Sequence, residues 1–212
     1  MPKQTFYKLP QEKQERILAA AKREFTQVRY SDSSINQIIR DAGIPRGSFY
    51  QYFEDKKDIF LCFLTEYKKE MIRGFAESVR AHAGDFLPAL DDFMGELITE
   101  MYRTPDQGIR IIVSEPWVSE YIWLDILDPG SPDMEVSQAK KEGCAAVDWS
   151  RLDLSDDREI FVFIHILGAV LRDSLYDICR RSELPEQEAK QLIHERLDSL
   201  RRHYEKQGKT AE

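Results

Sequence analysis

The sequence is short of the residues that break a chain or staple it. Ten glycines and nine prolines are spread over 212 residues, so obligatory turns are few and long stretches can stay regular. Three cysteines, Cys62, Cys144 and Cys179, are odd in number and far apart. They read as small apolar side chains and not as a disulfide framework. No run of about 18 uncharged apolar residues occurs, which excludes a membrane-spanning helix. The opening Met1-Pro2-Lys3-Gln4 has no apolar leader core, so a cytoplasmic protein without membrane contact is expected.

Catalytic equipment is equally scarce. The four histidines, His82, His165, His194 and His203, lie far apart, and none pairs with a cysteine at metal-ligand spacing. There is no glycine-rich phosphate loop, nucleophile elbow or His-Glu-x-x-His helix. Asp91-Asp92 and Asp156-Asp157 are adjacent in sequence, so on a helix their carboxylates point different ways. Neither an enzyme nor a bound metal or cofactor is expected.

Helical periodicity is what the chain has in abundance. Leu18, Ala21, Phe25 and Val28 repeat on one face of a segment from Gln11 to about Gln27, with Pro10 expected just inside its start. A short helix from Ser34 to Ala42 follows, with Ser33 or Ser34 as its cap, Ile35, Ile38 and Ile39 as its buried side and Gly43 as its left-handed stop. Another runs from about Arg46 to Tyr52. Asp55 then caps a long helix to roughly His82. Helices are expected near 86–103 and 106–127, the Asp128–Asp133 segment is the clearest loop, and a mixed stretch comes next. Two final helices near 156–182 and 186–206 carry Ile160, Ile164, Leu167, Leu171, Leu175 and Ile178, then Ala189, Ile193, Leu197, Leu200 and Tyr204. No period-2 strand and no internal repeat is found, so the fold class is all-α.

Net charge is −8, which by itself argues against nucleic acid, but its distribution does not. Residues 1–60 carry 11 Lys/Arg against 8 Asp/Glu, and the remainder 19 against 30. A mildly basic end on an acidic body is the asymmetry expected when one domain meets phosphate. That end contains two short helices joined by a tight Gly43 turn, the spacing of a helix-turn-helix. The second helix begins Arg46-Gly47-Ser48. Arg46 can chelate guanine O6 and N7, and Ser48 and Gln51 can read base edges. Gly47 lets backbone approach the duplex, and Tyr50 and Tyr52 offer hydroxyls to phosphate oxygens. Lys56 adds a further phosphate contact. Phe49 and Phe53, at i and i+4, belong in the core.

The run Ile44-Pro45-Arg46-Gly47-Ser48-Phe49-Tyr50-Gln51-Tyr52-Phe53, followed by Asp55-Lys56-Lys57-Asp58-Ile59, closely resembles the signature of the TetR (tetracycline repressor) family. The likeness extends over the Ser34 to Gly43 helix and the Ile17-Leu18-Ala19-Ala20-Ala21 stretch, about the first 60 residues. It implies a homodimer on double-stranded palindromic operator DNA, with Ser34, Arg46, Gly47, Ser48, Tyr50, Tyr52 and Lys56 lining that DNA. One departure is Pro45, which stands where the family usually places a capping Ser.

On this reading residues 1–54 form the DNA-binding domain and residues 55–212 a helical regulatory, ligand-binding and dimerisation domain. The last two helices have broad apolar faces, and the resemblance implies a four-helix bundle between two copies. Aromatic and methionine side chains between the two regions suit an adaptable cavity for an apolar or amphipathic small-molecule effector. Phe93, Met101, Trp117, Tyr121, Trp123 and His165 are its candidate lining. The expected function is a ligand-responsive repressor. A helical DNA organiser that binds no small molecule is the alternative, and a discrete two-fold operator would separate them.

Overall fold

The computed structural model of the chain describes residues 2–103, 134–181 and 183–206. Along them run α1 (Gln4–Tyr7), α2 (Gln11–Gln27), α3 (Ile35–Ala42), α4 (Arg46–Tyr52), α5 (Lys56–Ala81), α6 (Phe86–Arg103), α7 (Met134–Ala146), α8 (Asp157–Arg180) and α9 (Glu186–Tyr204). Besides these, the described residues contain one 3-10 turn at Trp149–Arg151 and one isolated bridge between Leu152 and Glu205. The fold is all-α, as its periodicity implies.

Two helices begin with the same reciprocal device. Asp55 accepts the Asp58 backbone N–H at 2.9 Å, while Asp58 accepts that of Glu54 at 3.0 Å. At α8, Asp156 accepts from the Glu159 N–H at 2.9 Å and Glu159 from the Ser155 N–H at 2.6 Å. Each pair occupies one otherwise orphaned donor of a first helical turn and one N–H just before the cap residue. The start of α3 departs from expectation. Ser34 stands at the cap position, but neither it nor Ser33 caps with its side chain. Instead the Ser34 N–H is held by buried Glu24 at 2.7 Å, and the Ser33 hydroxyl turns back to the Tyr30 carbonyl at 2.8 Å. Pro10 likewise lies one position outside α2, as its cap, with φ −53° and ψ 141°. Gly43 ends α3 at φ 61°, ψ 39° as foreseen, a conformation costly for any residue with a Cβ.

Two elements had no clear counterpart in the sequence reading. One is α1. The other is α7, in the mixed stretch, where Val136, Ala139 and Gly143 turn toward α5; Val136 and Ala139 join Ile72 in a small buried cluster. The expected 106–127 helix and the Asp128–Asp133 loop lie outside the described residues.

Two larger cores share α5. The first joins Phe6, Ile17, Phe25, Ile38, Phe49 and Phe53 with the α5 residues Ile59 to Tyr67. The second is built on Phe86, Met94, Ile98 and Met101 of α6, with Phe163 to Ile178 of α8 and Ala189 to Leu197 of α9. Phe75, farther along α5, packs against this second core. The first core thus runs past residue 54 into the long helix, which is continuous from one core to the other. Burial of this aromatic and aliphatic surface is the dominant stabilising term, at about 1.5–3 kcal/mol per fully buried large side chain.

Candidate DNA-binding face

The turn between α3 and α4 fixes which side chains can look outward. Phe49 and Phe53 are fully buried and Ile44 nearly so, which pins α4 by one face. Arg46, Gly47, Tyr50 and Gln51 lie on the exposed side, and Ser48 is half-buried between the two. Arg46 donates to Asn36 Oδ1 of α3 at 2.6 Å and to the Tyr50 hydroxyl at 3.5 Å, with its guanidinium 5.8 Å from the Tyr50 ring centroid. Asn36 is an exposed member of this face that the sequence reading missed. The available signal was its place on α3 at the edge of the Ile35, Ile38 and Ile39 stripe, where a polar side chain can face outward.

A Cβ built on Gly47 meets nothing within 4 Å, and Gly47 is not among the positive-φ glycines. The fold itself therefore does not require glycine there. Open space beside an exposed arginine is what close approach by an external backbone would use.

Two expected phosphate contacts take different roles. Tyr52 is only 6% exposed; its ring packs near Phe6, and its hydroxyl accepts from Lys13 Nζ at 3.2 Å. Residue 52 follows a helical period that puts it with Phe49, on the inward side. Lys56 turns its ammonium onto the loop after α2. It donates to the carbonyls of Tyr30, Ser31 and Ser33 at 2.7, 3.2 and 3.0 Å and sits 4.7 Å from the Tyr30 ring centroid. An ammonium has three donors, and here each has a carbonyl. Lys56 therefore fixes the entrance to α3 and brings positive charge there, without a free N–H to offer phosphate in this conformation. Ser34 is half-buried at the same entrance.

The effector candidates divide. Phe93 is half-buried, 5.7 Å from the Phe75 ring across α5 and α6, and Met101 is 2% exposed in the second core. Trp117, Tyr121 and Trp123 lie outside the described residues. His165 does not join Phe93 and Met101. It is exposed on α8, with Nδ1 2.8 Å from the Phe161 carbonyl and its ring 3.9 Å from that of Phe161, itself 49% exposed. The reason is that α8 is apolar on both sides, so its inward stripe is Phe163, Leu167 and Leu171, and His165 faces away. No helix among the described residues is long and apolar enough to cross a membrane, and no three His, Cys, Asp or Glu side chains there gather as metal ligands.

The family described as "Bacterial regulatory proteins, tetR family" matches residues 17–61. The chain is 33% identical over 73 residues to the HTH-type transcriptional regulator YdgC of Bacillus subtilis (strain 168), covering 34% of this chain and 37% of that one. It is 31% identical over 98 residues to the HTH-type transcriptional regulator LmrA of the same organism, covering 46% and 52%. The chain thus spans about half or less of the length of these curated relatives. Among solved structures, SmeT, the repressor of the Stenotrophomonas maltophilia multidrug efflux pump SmeDEF, superposes with a TM-score of 0.61 at 19% identity, covering 92% of this chain and 91% of that chain. A likeness of that kind shows the fold, and it extends over both cores.

Proposed function

We propose that the chain, whose residues 17–61 match the tetR family and whose N-terminal part is similar to HTH-type transcriptional regulators, is a repressor that binds a palindromic operator as a homodimer and is released by a small-molecule effector. The observation that carries the DNA half is the exposed Arg46–Asn36 pair beside the unfilled Gly47. A guanidinium already oriented by a neighbour presents a bidentate fork to a guanine edge. Gln51 adds a base-reading amide, and Tyr50 a hydroxyl for phosphate.

The dimer half rests on α8 and α9. Phe161, Val162, Ile166 and Tyr176 are 39–49% exposed, and a groove of about 930 Å³ runs between the two helices past Ile166, Val170, Leu200 and Tyr204. A self-complementary partner on that face is related by a two-fold axis, and two recognition helices about 34–36 Å apart fit successive turns of one duplex face.

The effector half is a two-state shift. A ligand favouring the DNA-incompetent spacing moves the recognition helices through α5, which joins the two cores. A swing from about 1:99 to 99:1 needs roughly 5.5 kcal/mol of differential affinity. The effector is apolar or amphipathic, with Phe93 and Met101 as the described part of its surroundings.

The test is selection of bound fragments from the source genome by purified protein, followed by footprinting across a salt series. The expected result is two inverted half-sites a helical turn or a multiple apart, binding that falls steeply with salt, and weaker binding in Arg46→Ala and Tyr50→Phe. Absence of any discrete site, or variants that bind like the parent, would reject the reading.

A further inference from the structure

The recognition helix is short and lacks a side-chain cap at its N-terminal end, where Pro45 stands. Its C-terminal end is completed from the far side of the domain. A helix leaves its last four carbonyls without intrahelical partners; in α4 these are the carbonyls of Phe49, Tyr50, Gln51 and Tyr52. The Phe49 carbonyl takes the Phe53 N–H at 2.9 Å. Residues just before and within α1 take the other three. Lys3 Nζ donates to the Tyr50 carbonyl at 2.9 Å, the Thr5 hydroxyl to that of Gln51, and the Lys3 backbone N–H to that of Tyr52 at 2.8 Å. Phe6, 1% exposed, anchors the segment with its ring 4.9 Å from that of Phe53.

We infer that Lys3 and Thr5 are positioning residues for operator recognition, acting through the C-terminal turn of α4 and not by touching a base. This rests on the DNA-binding reading above. The physical case has three parts. A seven-residue helix is far below the length at which a helix is stable alone, so its last turn keeps its shape through tertiary partners. Tyr50 and Gln51, which carry exposed side chains on the DNA face, are the residues whose carbonyls are held. The Lys3 ammonium also lies at the negative end of the helix dipole. The segment thus sets the direction in which Tyr50 and Gln51 project.

The experiment uses full-length protein and the site it selects. Affinities are measured for that site and for a scrambled duplex of equal length at one salt concentration, for the parent, Thr5→Val, Thr5→Ser and Lys3→Met. Thr5→Val keeps the shape and removes the donor, and Thr5→Ser restores it. Thr5→Val is expected to weaken the selected site about tenfold, as loss of one capping hydrogen bond per subunit in a dimer implies, and the scrambled duplex less than about twofold. Thr5→Ser is expected to bind like the parent. Faster amide exchange confined to α4 in unliganded Thr5→Val gives a readout that needs no DNA.

Parent-like discrimination by Thr5→Val overturns the proposal. So does equal weakening on both duplexes, or a Thr5→Ser variant as poor as Thr5→Val. If Lys3→Met alone weakens both duplexes and flattens the salt slope, Lys3 is a phosphate contact and the positioning role is rejected. A parent that selects no site rejects the DNA-binding reading itself, an outcome separate from all of these.

Discussion

Arg46 and Asn36 meet across the helix-turn-helix with Nη1 and Oδ1 2.6 Å apart, both side chains exposed. An arginine held this way loses less rotamer freedom when it binds. Arg46→Ala is expected to cost about 1–3 kcal/mol of operator affinity and to relax specificity at the base it reads. Asn36→Ala is expected to weaken binding several-fold by freeing the guanidinium, with little added effect in an Arg46→Ala background. A double-mutant cycle by fluorescence anisotropy measures the coupling. Strict additivity would show that the two act separately.

Gly47 offers a prediction in which stability and function move apart. A Cβ there has open space and ordinary helical backbone, and alanine in a helix is more stable than glycine by roughly 0.5–1 kcal/mol. Gly47→Ala is therefore expected to unfold at higher denaturant concentration than the parent while binding operator less tightly. A variant that gained stability and kept full affinity would show that nothing approaches Gly47 closely.

Much of this face was legible because its determinants are local. Gly43, Phe49 and Phe53 follow from spacing within one turn-helix unit, and the structure gives each the expected place. The residues whose roles differ from expectation, or were not anticipated at all, are those whose partners are remote in sequence. Lys56 reaches carbonyls 23–26 residues away, Tyr52 meets Lys13 39 residues away, and Thr5 bonds Gln51 46 residues away. Periodicity carries no information about such pairs. His165 was misplaced for another reason. With Phe161, Val162 and Ile166 outward and Phe163, Leu167 and Leu171 inward, the 160–171 part of α8 is apolar nearly all round, and its pattern cannot say which side meets its own core.

Lys56 separates a structural role from a DNA contact. Lys56→Met keeps the aliphatic stem and removes three donors from the Tyr30–Ser33 loop. Unfolding in denaturant is expected to show a loss of about 1–3 kcal/mol, the cost of leaving polar groups unpaired. A pure phosphate contact would leave stability unchanged and reduce the salt slope of binding by about 1.

Alkaline pH tests the first core. Burial, and then Glu66, pushes the Cys62 thiol up to about 12 from its ordinary value of 9.0. Burial, with Glu70 and Glu100, pushes the Tyr67 phenol up as well. Both groups ionise more readily in the unfolded chain, so unfolding releases protons above pH 9. Their contribution to stability is complete below that pH and is lost as pH rises toward 12. Denaturation midpoints are expected to fall across this window, and less steeply in Cys62→Ala relative to its own neutral-pH value. In native protein at pH 8, Cys62 should resist a thiol reagent that labels it readily once the chain is unfolded. Rapid labelling of Cys62 in the folded state would contradict the burial.

The outer face of α8 carries the assembly prediction. Ile166 is 40% exposed and lines the groove between α8 and α9, which Arg196 and Asp177, paired at 2.6 Å, also line. Two-fold symmetry places any substitution in the interface twice. Ile166→Asp puts two carboxylates where two apolar side chains would otherwise be buried, each such burial being worth roughly 1.5–3 kcal/mol. The residue is outside the buried stripe of Phe163, Leu167 and Leu171, so the protomer should keep its helical content and its own core. Sedimentation velocity is expected to give a dimer for the parent and a monomer for Ile166→Asp. Operator affinity should then fall far more than affinity for a single half-site, since one protomer still carries an intact Arg46 face. A dimeric Ile166→Asp would move the interface elsewhere on the molecule. A monomer that retained full operator affinity would remove the two-fold axis from the mechanism.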